Sequence, residues 1–286
     1  TKRMRLKKIK NFWNCKGESN MEELYYNRVK EILKKKGRVS AAWLHMASNV
    51  SAEILANAGF DVLVIDVEHS PVDYQTVFSM CQAMKGTNTV PFARAPWNDL
   101  IAIKRICDCG VMGIHIPYVR TVDEAREAVL RCKYPPLGIR GIAGSPRACG
   151  FGMNRGQYMQ KANDENIVMI AIETMDGIDN LPEMMEIEAL DGIFIGPMDL
   201  SASMGIRGQF DNKEFKAAIK RIENIVIPSG KFLGTVANDI EDAQILYDKG
   251  YNIVYMMSDA VDLSRMAERT VVKFKEYNSK EGKVDD

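Results

Sequence analysis

The sequence predicts a (β/α)₈ barrel of the TIM type, and three observations carry that prediction. From Gly37 onward, short apolar runs rich in β-branched residues alternate with amphipathic segments. Eight such pairs fit into ~245 residues, the size and tally of this barrel. The strand runs are almost continuously apolar, the mark of a parallel sheet covered by helices on its faces. An open doubly wound sheet is the competitor, but no G-x-G-x-x-G follows any strand and no P-loop is present.

The chain opens on a basic leader. Thr1 to Asn20 hold six basic side chains among the first ten residues, show no apolar period and lead into no signal-peptide h-region. Residues 1–20 read either as a disordered arm or as sequence upstream of the native start. The second reading is favoured, because Met21 opens an N-terminal helix, Met21–Lys36, that ends at Gly37. Residues 21–286 then form the barrel. Its strands are expected at Ser40–Trp43, Val62–Asp66, Val90–Arg94, Gly113–Tyr118, Ile167–Ile172, Gly192–Ile195, Phe232–Thr235 and Asn252–Met256. Helices are expected at Val50–Ala58, Asp73–Lys85, Asp99–Asp108, Val122–Cys132, Asp176–Ile187, Asn212–Pro228, Ile240–Lys249 and Ala260–Tyr277. One stretch breaks the rhythm. Lys133 to Glu165 is a long connection containing Tyr134-Pro135-Pro136-Leu137-Gly138-Ile139-Arg140-Gly141, ordered by its Pro and aromatic content and serving a functional role or an interface.

Composition narrows the function. Hydrophobic residues are 46% and charged residues 27% of 286, which excludes disorder and fibrous repeats. The 38 Lys plus Arg balance 38 Asp plus Glu, so neither nucleic acid nor another polyanion is the expected partner. No apolar run approaches the ~18 residues that span a bilayer, and a cytoplasmic protein with no membrane partner is expected. The six cysteines lack a framework, and the Cys107-x-Cys109 pair has no second pair to complete a zinc site. Reduced, mostly buried thiols are expected.

Chemistry in this fold gathers at the C-terminal ends of the strands. Read in order, those ends carry Asp66, Glu68 and His69, then Arg94, then Glu173, then Asp199. Glu173 and Asp199 follow consecutive strands, and two hard oxygen donors without Cys or His suit Mg²⁺ or Mn²⁺. The alternative is that they pair with loop arginines or cap helices, Asp199 at a helix starting at Leu200. His69 is a base candidate by position, and a structural histidine otherwise. Asp108, ending the third helix, is a possible orienting carboxylate. His45 stands just beyond the first strand and His115 inside the fourth. Arg94 interrupts an apolar strand end, so it needs an anionic partner from the protein or a substrate. The last two strand ends lack the glycines of a barrel phosphate site, and no strand end offers the lysine that a Schiff-base aldolase requires.

Six segments together resemble the HpcH/HpaI aldolase family of class II pyruvate aldolases. They are Glu53 to Ile65, Asp66-Val-Glu68-His69-Ser-Pro, Ala93-Arg94 with Trp97-Asn98-Asp99, the Tyr134 to Gly141 motif, Ile172-Glu173-Thr174, and Phe194-Ile-Gly-Pro-Met-Asp199-Leu-Ser-Ala. The resemblance runs from about Gly37 to Lys275. It implies a (β/α)₈ barrel with an exchanged C-terminal helix, in a homo-oligomer, usually a hexamer built from dimers. It further implies a divalent cation (Mg²⁺, Mn²⁺ or Co²⁺) on Glu173 and Asp199, with His69 as base oriented by Asp108. Arg94 would then steady a pyruvate enolate, and the Met198 and Asp199 amides would hold the pyruvate carboxylate. Trp43 and Ala171 belong to the expected substrate pocket, whose far side is expected from the Arg140–Phe151 region and a neighbouring subunit, with Arg140 and Arg147 either favouring an acidic tail or binding the protein's own carboxylates. Two departures stand out: Ala171 replaces a glutamine common in close relatives, and His45 replaces an expected small residue.

The implied reaction is reversible cleavage of a 4-hydroxy-2-oxo acid to pyruvate and an aldehyde. Two alternatives remain at this point. One is another enolate-forming lyase or synthase of this barrel acting on a citrate-like acid or acyl thioester, and the other is a non-catalytic barrel.

Overall fold

The structure is a computed structural model and describes residues 25–280. The basic leader and the first residues of the expected Met21–Lys36 helix lie outside the described residues. Eight parallel strands close into a barrel in sequence order. They are β1 (Val39–Leu44), β2 (Val62–Asp66), β3 (Val90–Arg94), β4 (Gly113–Ile116), β5 (Ile167–Ile172), β6 (Gly192–Ile195), β7 (Phe232–Val236) and β8 (Ile253–Ser258). Each expected strand is present, with ends displaced by at most two residues. β1 and β8 seal the barrel, with one register shift at Ala41/Ala42.

The helices among the described residues are α1 (Arg28–Lys34), α2 (Asn49–Ala58), α3 (Tyr74–Ala83), α4 (Leu100–Asp108), α5 (Val122–Cys132), α6 (Arg155–Glu165), α7 (Met175–Met184), α8 (Pro197–Ser203), α9 (Lys213–Ser229), α10 (Ile240–Lys249) and α11 (Asp259–Lys280). Several start where a side chain satisfies an otherwise orphaned amide. Ser48, Asp73, Asp99 and Thr121 each accept from the amide three residues on, and Thr121 and Glu124 form a reciprocal box. Two of these helices differ from expectation. The Lys133–Glu165 stretch ends in α6, and α8 begins at Pro197 with Gly196 before it, so Asp199 lies inside the first turn rather than capping a helix at Leu200.

Two apolar layers result. The outer faces of the strands pack against the helices through residues such as Leu63, Ile65, Ile103, Ile170 and Ile193. The barrel interior is filled by side chains, with Val39, Val62, Val90 and Ile167 below and Trp43, Phe194 and Tyr255 above. α1 closes the floor by placing Val29 and Leu33 against this inner cluster. Asn27 fastens it, its side-chain amide donating to the carbonyls of Met112 and Glu165, and Lys30 pairs with Asp191 at 2.8 Å. Higher up, the rings of Trp43, His115, Phe194 and Tyr255 meet edge to face or tilted across the axis, 5.2 to 5.9 Å apart. The strand ends above those rings are the open side of the barrel.

Candidate active site

The register of β2 and β3 sets Asp66 directly beside Arg94. Arg94 Nε and Nη2 donate to Asp66 Oδ1 and Oδ2, each at 2.8 Å, in a bidentate fork. Burial alone would raise the Asp66 carboxyl, but the hydrogen bonds and charge of Arg94 hold it below its ordinary range. The guanidinium lies over the Trp43 ring, 4.7 Å from its centroid, and Nη1 comes within 3.2 Å of Glu68 Oε2. That last contact is a charge contact only, because Glu68 Oε2 has no aligned hydrogen-bond donor. A guanidinium carries five N–H groups. With two on Asp66 and one facing Glu68, two remain for a ligand.

Across the mouth, Glu173 follows β5 and is buried. Its Oε2 accepts from the Tyr118 amide at 2.9 Å, at the end of β4 where Tyr118 takes a positive φ of 54°. Burial pushes the Glu173 carboxyl up to about 7, and the charges of Asp199 and Glu68 add to that rise. Glu68 is also pushed to about 7, first by burial, with Asp66 and Asp199 adding to it and Arg94 opposing. Asp199 is exposed in the first turn of α8, and among the described residues no hydrogen bond or ion pair engages its carboxylate. β5 and β6 run in register up to Ile172 and Ile195, so Glu173 and Gly196 sit side by side. A Cβ at Gly196 would come 2.5 Å from Glu173 Oε1 and 2.7 Å from its Cγ. Glycine is what gives the Glu173 carboxylate its place.

Three imidazoles surround this region at different depths. His69, with a 61% exposed side chain, turns Nε2 toward Glu68 Oε2 at 3.6 Å. His45 lies against Trp43, its Nδ1 2.9 Å from Ser258 Oγ and its Nε2 3.4 Å from Asp66 Oδ2. Burial holds His45 below the ordinary range, with Asp66 pulling the other way. His115 belongs to the ring cluster beneath, where burial and then the Arg94 charge push it down to about 3, and Nε2 faces the Tyr255 hydroxyl at 2.8 Å. A neutral core histidine is the result.

The expected residues are not all brought together. Asp108 ends α4, a helix that returns from the mouth, so it lies at the opposite end of the barrel from His69 of the same chain. There it accepts from Arg140 Nη2 at 2.6 Å. Within one chain, Asp108 is therefore not brought to His69. Arg147 lies at that same far end, donating to the carbonyls of Cys109 and Cys81 at 2.9 and 2.8 Å, and does not line this chain's mouth. Trp43 and Ala171 are buried interior residues rather than open pocket walls, and Trp43 meets the site as the surface under Arg94 and His45. Met198 stands exposed at the rim. Sequence reasoning gives Asp66 and Glu68 a strand-end position without a role, and gives Gly196 only the shaping of the turn before Asp199. The Asp66–Arg94 strand register and the Glu-to-Gly adjacency of β5 and β6 are the signals that reveal them.

The family model described as HpcH/HpaI aldolase/citrate lyase matches residues 40–265. The chain belongs to the HpcH/HpaI aldolase/citrate lyase family. The 4-hydroxy-2-oxo-heptane-1,7-dioate aldolase of Escherichia coli is 41% identical over 249 residues, covering 87% of this chain and 95% of that one. A solved HpcH/HpaI aldolase/citrate lyase family protein from Burkholderia cenocepacia superposes with a TM-score of 0.83 at 31% identity, covering 87% of this chain and 99% of that one. An HpcH/HpaI aldolase from Desulfitobacterium hafniense gives 0.81 at 26% identity, over 86% of this chain and 96% of that one.

For a member of this family, the donor set at the mouth fits a hard divalent cation. Glu173 and Asp199 offer only oxygen, the donor type such a cation takes, and among the described residues no group of three or more metal-ligating side chains is gathered, at the mouth or elsewhere. Burial raises the Glu173 carboxyl first, and the charges of Asp199 and Glu68 add to the rise, so a cation seated beside it would meet negative charge drawn together. Buried Lys133 and half-buried Lys231 are elsewhere. Lys133 and Lys231 lie at the floor end and donate to main-chain carbonyls, Lys133 to Asn163 and Asn166 and Lys231 to Ile187 and Leu190.

Proposed function

We propose that the protein is a divalent-metal-dependent aldolase that reversibly cleaves a 4-hydroxy-2-oxo acid into pyruvate and an aldehyde. The observation that carries this reading is the pairing of an uncompensated carboxylate site, Glu173 with Asp199, with a guanidinium locked by Asp66 and still holding free N–H groups. The name of the Escherichia coli relative supports the substrate class. Among the described residues no helix is long and apolar enough to cross a membrane, and a cytoplasmic enzyme is the reading adopted.

Glu173 and Asp199 would hold Mg²⁺, Mn²⁺ or Co²⁺. Bound there, the cation would supply Lewis-acid stabilisation of the charge that develops on the 2-oxo oxygen, a contribution of several kcal/mol. The chain supplies the rest. The amides of Met198 and Asp199, in the first turn of α8, would receive the substrate carboxylate. The two free N–H groups of Arg94 present fixed positive charge to the enolate oxygen, without reorganisation because the fork is already closed. His69 takes the proton of the C4 hydroxyl as the C3–C4 bond breaks, the bond pair stays on the pyruvate fragment as its enolate, and C4 leaves as the aldehyde carbonyl. Protonation at C3 then gives pyruvate.

Asp108 and Arg147 can serve a mouth only from a second copy of the chain, since they lie at the floor end of their own barrel. A homo-oligomer is part of the proposal. Its support is α11, whose main contacts are with β1 and β8 and which leaves Leu263, Met266, Val271 and Phe274 47 to 61% exposed. An exchanged helix would cover them.

The test is pyruvate release from a panel of 4-hydroxy-2-oxo acids, after EDTA treatment and again with Mg²⁺, Mn²⁺ or Co²⁺ restored. Release that disappears with chelation and returns with metal supports the aldolase. Release that persists in fully stripped protein removes the metal from the mechanism, and no release under any condition turns attention to citrate-like acids.

A further inference from the structure

Of the two imidazoles at the mouth, His45 is the one engaged on both ring nitrogens. It stands one residue past β1, its ring 5.7 Å from that of Trp43 and inclined by 29°. Its main-chain N–H donates to Asp259 Oδ1 at 2.8 Å, so the loop that carries it is tied to the start of α11. One nitrogen meets a hydroxyl and the other meets a carboxylate, which assigns the tautomer. A lone pair directed at Asp66 would be repelled, so Nε2 carries the proton and turns it toward Asp66 Oδ2 in a 3.4 Å charge contact, and Nδ1 accepts from the Ser258 hydroxyl. Asp66 Oδ2 is the same oxygen that receives Arg94 Nη2. The result is one chain of polar contacts across four neighbouring strands, hydrogen-bonded at both ends and joined by a charge contact between His45 and Asp66: Ser258 of β8, His45 beyond β1, Asp66 of β2 and Arg94 of β3.

We propose that His45 is a positioning residue, which through Asp66 fixes the direction in which Arg94 presents its two free N–H groups. The inference rests on the aldolase reading for what Arg94 does, and on geometry alone for what His45 does to it. A carboxylate turns easily about its terminal torsion, so a fork closed on Asp66 can turn with it. An imidazole N–H facing Oδ2 at 3.4 Å from the β1 side, on a ring held by Trp43 and by Ser258, opposes that turn. Trp43 lies under both His45 and Arg94, so the ring and the guanidinium share one platform. A histidine that merely filled space would act through this stack alone, and phenylalanine would replace it. A histidine that acts through Asp66 cannot be replaced in that way, whereas glutamine, with an amide N–H near the Nε2 position, can stand in for it.

The experiment uses the full-length, metal-loaded protein and the variants His45→Phe, His45→Gln and Ser258→Ala, each with kinetics of pyruvate release and a crystal structure. His45→Phe is expected to lower kcat about tenfold with KM within about twofold of wild type, because orientation is lost while binding is kept. Its Arg94 is expected to leave the fork or divide between two conformers. His45→Gln is expected to restore the fork and most of kcat. Ser258→Ala is expected to fall between them, since it frees the tautomer and leaves the ring in place. Wild-type kcat and an undisturbed fork in His45→Phe would overturn the proposal, and so would His45→Gln falling as far as His45→Phe. Wild-type protein that releases no pyruvate would sink the aldolase reading instead, and the state of the Asp66–Arg94 fork in the variant structures would still decide the role of His45.

Discussion

Asp66 and Arg94 are register partners on β2 and β3, and their side chains close a two-armed fork at 2.8 Å on each arm over the face of Trp43. The pair is buried on both sides, which sets its energetics. Two charges out of water are tolerable together and costly apart.

Asp66→Asn keeps the shape of the side chain and removes the charge. It leaves Arg94 with Glu68 as its remaining carboxylate contact, one that lacks hydrogen-bond alignment. Breaking a buried pair from one side costs about 3–5 kcal/mol, and Glu68 places this case at the lower end. Thermal denaturation should show a clear fall in Tm, and pyruvate release should fall with it. An unchanged Tm would mean that the fork carries little of the folding energy.

Arg94→Lys retains the positive charge but cannot make the fork, so its charge is no longer aimed. Loss of a preorganised donor of this kind costs about 10² to 10³ in kcat, and the same range is expected here with a smaller change in KM. Steady-state kinetics with metal at saturation decide it. Full activity in Arg94→Lys would remove the need for bidentate anchoring.

Gly196→Ala isolates a purely steric effect, because Gly196 has φ −92° and carries no backbone strain that alanine would add. The new Cβ would fall 2.5 Å from Glu173 Oε1 and 3.0 Å from its Cδ, so the carboxylate must move as a whole. Metal affinity, read by titration calorimetry, should weaken by about tenfold or more, the scale of losses seen when the support of a metal ligand is disturbed. Retained affinity would show that Glu173 has room the structure does not suggest.

The Glu173 carboxyl sits at about 7 in the folded apo-protein against an ordinary 4.5. A carboxyl raised on folding contributes stability that is fully present below the unfolded value and is lost as pH rises through the folded value. The Tm of metal-free protein should therefore fall between about pH 5 and pH 8, and the fall should be shallower in Glu173→Gln, which cannot ionise. Added Mg²⁺ or Mn²⁺ should raise the wild-type Tm most at the alkaline end, where the ligand is already deprotonated. Identical slopes in wild type and Glu173→Gln would contradict the shift.

Asp108→Ala and His69→Ala damage opposite ends of the barrel. If Asp108 serves the mouth of a second copy, mixed oligomers of the two inactive variants should regain part of the wild-type turnover through mouths that receive one intact residue from each. Mixtures that stay inactive after verified subunit exchange would place Asp108 outside the chemistry.

The barrel was legible because its strands are buried on both faces and therefore read as unbroken apolar runs, Ile167–Ile172 most plainly. α6 was not legible for the converse reason. Only Tyr158 and Ala162 of its eleven residues are buried, so the helix leaves almost no apolar stripe in the sequence. Glu173, Asp199 and Arg94 were legible from their strand ends. Asp108 was legible as the end of a helix, and a residue there lies at the face where the next strand begins, away from the mouth of its own barrel. His45 could be noticed but not assigned, because its meaning depends on Ser258, 213 residues away, and on an Asp66 oxygen shared with Arg94.

The closed floor governs traffic. α1 stops the barrel from below and the rings of Trp43, His115, Phe194 and Tyr255 fill its axis, so nothing passes through and the chamber has a single door. On the proposed chemistry, pyruvate forms on the inner side and the aldehyde on the outer side of that door. Departure then has a fixed queue, aldehyde before pyruvate, and arrival in the synthetic direction is its mirror image. Free pyruvate would compete with the hydroxy-oxo acid for the empty enzyme, whereas a free aldehyde would find its place only behind a pyruvate already seated.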